Sequence, residues 1–181
     1  MIRPIRESDV PACVDIYNHY ICNTTYSFET EALTCDSFLE RVKRISADYP
    51  YLVYEDEESG LILGYAYLDR FSERGAYRFT CDLSIYVSSD VLGQEIGYRL
   101  YDAIEKQGIA CGFYNIIAIV TSENERSMRF HERQGFVCAA QFDDVAFKHG
   151  RWLGVRYYRK TVRQAVGVPK EPCLQNLTGG E

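Results

Sequence analysis

The chain has 181 residues, of which 46% are hydrophobic and 25% charged, the make-up of a globular protein long enough to bury one full core. Its formal net charge of -6 argues against nucleic acid as a partner, because neutralising phosphates needs clustered Lys and Arg. No apolar run approaches the ~20 residues of a membrane span, and nothing apolar follows Arg3 and Arg6 as a signal peptide requires; no membrane partner is expected, and the predicted location is cytoplasmic.

Met1 to Ile5 reads as a short edge strand. Ser8 is placed to cap a helix with Asp9 and Pro11 in its first turn, and Val10, Cys13, Val14 and Tyr17 recur at helical spacing through Tyr20. The segment from Ile21 to Leu33 is polar and aromatic without periodicity. Thr34 opens a second amphipathic helix, with Phe38, Val42 and Ile45 on one face, which ends before Tyr49-Pro50.

Three strands are predicted next: Tyr51 to Glu55, Leu61 to Leu68 and Tyr77 to Val87, the first two joined by the acidic turn from Glu55 to Gly60. A loop carrying Gly93 and Gly97 leads into a helix over Ile96 to Gln107. An apolar strand, Asn115 to Val120, then runs into a short helix from Asn124 to Gln134 that stops at Gly135. Two late strands, Phe136 to Phe142 and Trp152 to Arg159, flank a turn with Lys148-His149-Gly150. Residues after Val162, with Pro169 and Pro172, are expected to fray, and the Asn176–Thr178 sequon carries no weight in a cytoplasmic chain.

The seven cysteines are odd in number and contain no C-x-x-C pair, and the three histidines (His19, His131, His149) are scattered. Buried small hydrophobes in a reducing compartment are therefore expected, with no metal site. Strand, glycine loop, helix, strand, short helix is an order that can hold an anion at a helix N-terminus, where unpaired N–H groups and the helix dipole converge.

Several segments, in this order, carry a likeness to a known family. They are Ile2-Arg-Pro4, Asp15 to Ile21, Phe28, Tyr49-Pro50, Ile85-Tyr-Val-Ser88, Arg129-Phe-His-Glu132 with Gly135-Phe136, and Lys148-His-Gly150 with Trp152. Together they resemble the GNAT acyltransferase superfamily, and more narrowly its phosphinothricin acetyltransferase branch, from Ile2 to about Lys160. The resemblance implies a single α/β (α+β) domain over residues 1–162 with a tail over 163–181. Its mixed sheet would carry a splayed parallel strand pair, Leu83 to Val87 and Asn115 to Val120, and helices on both faces.

The same resemblance implies acetyl-CoA as acyl donor, a small amino-acid-like amine as acceptor, and a homodimer. The donor would be held by Ile85, Tyr86 and Val87, by the loop residues Gly93, Gln94, Glu95, Ile96, Gly97 and Tyr98, and by Asn124 and Ser127. Asp82 aligns with the family's glutamate base, Tyr101 with a tyrosine that protonates the leaving thiolate, and His149 with a histidine near the acceptor. Tyr20, Phe28, Arg74, Tyr77 and Trp152 would line the acceptor pocket, with Tyr26 beside them.

One stretch departs from the family pattern. Where the diphosphate loop has the form Q/R-x-x-G-x-G/A, this chain has Leu92-Gly-Gln-Glu-Ile-Gly97, so Glu95 stands at the first glycine. A carboxylate ~8 Å from a phosphate charge repels it by ~1 kcal/mol at an effective dielectric of ~40. Asp90, Asp102 and Glu105 add acidity, opposed by Arg99. Hence a second expectation of another class: a GNAT fold with weak or no catalysis that serves as a ligand- or protein-binding module.

Overall fold

The structure, a computed structural model, describes residues 1–173; residues 174–181, with the sequon at Asn176–Thr178, lie outside the described residues. Seven strands form one sheet: β1 (Ile2–Pro4), β2 (Tyr51–Glu55), β3 (Ile62–Arg70), β4 (Thr80–Val87), β5 (Asn115–Thr121), β6 (Val137–Lys148) and β7 (Arg151–Thr161), in the order β1-β2-β3-β4-β5-β7-β6. Every neighbouring pair is antiparallel except β4 and β5. The helices are α1 (Val10–Asn23), α2 (Cys35–Ser46), α3 (Ile96–Cys111) and α4 (Glu125–Arg133).

Period-two alternation along β3 explains the layers. Tyr65 meets Phe38 of α2, Tyr51 and Tyr86, and Tyr86 in turn meets Tyr17 of α1. Leu68, on the opposite face, lies against Gly108 of α3, where an added Cβ would approach its Cδ1 to 2.8 Å. α3 and α4 touch through Tyr101 and Phe130. Much of the tyrosine-rich composition is thus a packed aromatic layer under α1 and α2.

Local departures from the sequence reading each have a cause. Ser8 does not cap α1; residues 7–9 form a 3-10 turn instead. Asp9 is drawn inward, where its carboxylate accepts from Arg6 N at 2.8 Å and takes a two-point contact from the Arg3 guanidinium at 2.7 and 2.9 Å. Burial pushes the Asp9 carboxyl up, but Arg3 and the Arg6 amide outweigh it and hold the pKa below its ordinary value. β4 begins at Thr80, because Gly75–Tyr77 make a 3-10 turn that takes Tyr77 out of the strand. β6 runs past its expected end at Phe142 to Lys148 through a bulge, where Asp144 adopts φ 52° and pairing resumes at Ala146.

Residues 163–173 make contacts with the domain. Cys173 N donates to Cys111 O at 2.8 Å, Arg163 donates to Ile109 O at 2.9 Å, and Glu171 pairs with Arg78. The polar end of α3 recruits the segment, with Gly112 at φ 99° turning the chain out of the helix.

At α2 the expected cap is present: Thr34 accepts from Ser37 N at 3.2 Å. Thr34→Ala is expected to cost about 1 kcal/mol, read as a fall of roughly 2–4 °C in melting temperature. An unchanged transition would show that packing of Phe38, Val42 and Ile45 alone sets the start of this helix.

Candidate active site at the strand fork

The parallel ladder is short. Thr80, Cys81 and Asp82 of β4 face Asn115, Ile116 and Ile117 of β5, and there the pairing ends. β5 stays bonded to β7 up to Thr121 against Val155 and β4 to β3 up to Val87 against Gly64, so beyond Asp82 and Ile117 the two strands face each other with unpaired edges. Ser88 N donates to Leu63 O on the β3 side. Alternation then turns the amides of Ile85 and Val87 toward the gap, and there Val87 O accepts from the Tyr20 hydroxyl at 2.6 Å.

The gap opens into a cavity of about 570 Å3 between β4, β5, α3 and α4. Of the residues expected to hold the donor, Ile85, Tyr86, Val87, Gly93, Glu95, Ile96, Gly97, Tyr98, Asn124 and Ser127 line it, and so do Tyr20 and Tyr26; Gln94 does not. α3 begins at this wall with no side-chain cap, which leaves its first-turn N–H groups directed at the space. Glu95, the residue before that turn, is in the left-handed region at φ 61°, and Gly93 stands at φ 97°. The backbone at Glu95 therefore keeps the shape of a glycine position while carrying a carboxylate.

Asp82 sits at the last paired position, the apex of the fork. Burial raises its pKa to about 7, the charge of its cross-strand neighbour Asp69 adds to the rise, and the Leu83 N–H partly offsets both. Its Oδ1 is buried without a hydrogen-bond partner. Asp69 is itself held by Arg44 through contacts of 3.2 and 2.8 Å. Asp82 does not itself line the cavity, whose wall begins at the next residue, Leu83; a carboxyl raised toward neutrality at such a place is the condition general-base chemistry needs.

Tyr101 stands away from the cavity lining. Its ring is buried and its hydroxyl donates to Glu105 at 2.5 Å while accepting from Lys160 at 2.8 Å. Burial and the Glu105 contact drive its pKa far up, and it does not line the cavity. His131 does line it. The His131 ring is buried beside Phe130 and Phe136, with Nδ1 2.8 Å from Ser127 O; burial lowers its pKa.

The five residues expected around the acceptor are not gathered in this way. Tyr20 alone reaches the cavity. Arg74 and Tyr77 belong to the 3-10 turn before β4, Phe28 is exposed after α1, and Trp152 is 60% exposed on the outer hairpin, its ring edge-on to Phe147. His149, at φ 49° in the β6–β7 turn, places Nε2 3.2 Å from Thr24 O. It borders a second cleft with Thr25, Glu123 and Arg151, and Tyr26 is common to that cleft and the cavity.

Among the lining residues not expected from the sequence are three arginines of α4, Arg126, Arg129 and Arg133. Their i, i+3, i+7 spacing puts them on one helix face. Among the described residues no group of three His, Cys, Asp or Glu side chains could hold a metal ion, and no helix is long and apolar enough to cross a membrane.

Residues 2–154 match the family model described as an acetyltransferase (GNAT) domain. The chain is 33% identical over 159 residues to the phosphinothricin N-acetyltransferase of Streptomyces viridochromogenes, a match covering 88% of this chain and 86% of that one. It is 31% identical over 157 residues to the L-methionine sulfoximine/L-methionine sulfone acetyltransferase of Salmonella typhimurium, covering 86% and 91%. A solved GNAT superfamily phosphinothricin acetyltransferase from Sinorhizobium meliloti, in complex with acetyl-CoA, superimposes with TM-score 0.90 at 28% identity, over 99% of this chain and 95% of that one. With its splayed parallel pair and the uncapped helix beside it, the chain belongs to the GNAT acetyltransferase family.

Proposed function

We propose that this protein transfers an acetyl group from acetyl-CoA to the amine of a small amino-acid-like acceptor of the phosphinothricin or methionine sulfoximine type. The observation that carries the reading is Asp82 at the apex of the fork, with its pKa raised to about 7. Acetyl-CoA supplies the activated acyl group. The free edge of β4 at Ile85 and Val87 positions the pantetheine arm through main-chain hydrogen bonds, and the open first turn of α3 receives the diphosphate.

Asp82 accepts a proton from the acceptor amine, directly or through a water, since aspartate is one methylene shorter than the family's glutamate. His131 stands on the cavity wall where Tyr101 does not, a place suited to the leaving thiolate. His149, at the cleft joined to the cavity through Tyr26, is assigned to the acceptor side. The relatives' named activities and the open cavity favour catalysis over a purely binding role.

The outer β6–β7 hairpin exposes Val137, Phe142, Val145, Phe147 and Trp152. An apolar surface of this extent supports pairing with a second copy, as in the homodimer the resemblance implies. All seven cysteines are free, in keeping with a reducing, cytoplasmic setting.

The test is turnover: release of free CoA on mixing acetyl-CoA with phosphinothricin, methionine sulfoximine and the common L-amino acids. Acetylation of at least one amine is expected. Acetyl-CoA alone should also raise the melting temperature, because a ligand at ~100 times its Kd adds about 2.7 kcal/mol to native-state stability. No shift at millimolar donor together with no turnover would overturn the assignment.

A further inference from the structure

The loop before α3 brings a carboxylate to the place where the donor's phosphates must lie, yet the cavity as a whole is cationic. Glu95 is the single acidic side chain on its wall, against Arg126, Arg129 and Arg133. Arg129 is partly answered by Glu125 at 2.9 Å. Arg126 and Arg133 have no acidic partner among the described residues. Positive charge concentrated in one cleft of a chain of net charge -6 is a local feature, not a reflection of composition.

Arg126 also acts on the far wall. Its charge lowers the Tyr20 phenol's pKa against the larger rise from burial, and that hydroxyl is the one bonded to Val87 O. Arg126 thus lies within electrostatic reach of the side chain bonded to the end of β4. A ligand filling the cavity would meet both Glu95 and the arginines, since all four side chains line it.

We infer that Arg126 and Arg133 are the phosphate-recognition residues of this site, taking over on α4 the countercharge that the glycine loop lacks. The inference rests on the acyl-transfer reading and concerns how the donor's diphosphate and phosphomonoester are held. It predicts that affinity for the intact donor depends on α4 and on ionic strength. The pantetheine portion alone is bound without either.

The experiment titrates acetyl-CoA calorimetrically into the wild type and the R126Q/R133Q protein at about 50 and about 200 mM salt, beside KM measurements with acetyl-CoA and with S-acetylpantetheine. Removing one exposed charge-assisted hydrogen bond weakens binding by a few-fold, so Kd for acetyl-CoA should rise about tenfold in the double variant. Its salt dependence should flatten, and the preference for acetyl-CoA over S-acetylpantetheine should shrink by the same factor. Equal Kd and equal salt dependence in the two proteins, with the wild type binding and turning over, would overturn this inference and leave the acyl-transfer reading intact. A wild type that neither binds acetyl-CoA nor acetylates any amine would overturn both. Circular dichroism of the double variant, expected to match the wild type, excludes loss of fold as the cause of weaker binding.

Discussion

Asp82→Asn is expected to lower kcat/KM for amine acetylation by about 10²- to 10⁴-fold, the range for loss of a general base, while Kd for acetyl-CoA stays within about twofold, a difference of only ~0.4 kcal/mol. The wild-type kcat/KM should rise with pH and level off above about 7, where the buried carboxyl ionises. Asp69→Asn removes the neighbouring negative charge and should move that limb to lower pH, since the Asp69 charge contributes to the rise.

The stability of the same variant is expected to change in the opposite direction. Because the folded pKa lies above the ordinary 3.8, the protonated carboxyl is the form the fold favours. Its contribution to stability is full below that ordinary value and is lost as pH rises through about 7. Asn, neutral throughout, escapes the loss, so the melting temperature of Asp82→Asn should overtake that of the wild type on going from acid to mildly alkaline buffer. Wild-type activity in the variant would remove Asp82 from the base role. A melting-temperature difference that does not vary with pH would show that the carboxyl is not held out of solvent as the geometry indicates.

Glu95→Gly is expected to act twice. At φ 61° a residue with a Cβ carries a backbone penalty of about 1 kcal/mol that glycine does not; the substitution should therefore raise the melting temperature without donor. Removing the carboxylate from beside the phosphates should also tighten acetyl-CoA binding by roughly tenfold, from a repulsion of ~1 kcal/mol for each nearby phosphate charge. Glu95→Gln separates the two effects, for it abolishes the charge but keeps the strained backbone: tighter binding is expected, with no gain in melting temperature. Weaker binding in both variants would mean that Glu95 contributes to the donor site instead of opposing it.

The succession of elements was legible because it is written in short apolar runs such as Leu83 to Val87 and Asn115 to Val120, with a glycine loop between them. The fork and the residues expected to hold the donor came from the family resemblance, not from these runs. What escaped depends on contacts between distant segments. Tyr101 falls on the apolar spacing of α3, but only the approach of Lys160 from β7 shows that its hydroxyl is engaged. Nothing in the sequence analysis singles out Arg126 and Arg133; it is the fold that brings α4 and Glu95 to one cavity. Ser8 looked like a cap because nothing nearby in sequence reveals that Arg3 of β1 draws Asp9 inward.

The brevity of the β4–β5 ladder has a mechanical consequence. β1 to β4 form one slab and β5, β7 and β6 another, and across the seam the strands meet at only three register pairs, Thr80 to Asp82 against Asn115 to Ile117. Apart from the edge strand β1, every other neighbouring pair in the sheet is joined by more register pairs, so tilting one slab against the other about this seam disturbs few strand-to-strand bonds. Asp82 lies at that seam, where such a tilt displaces it least, so the cleft can widen while the residue proposed as proton acceptor stays in place.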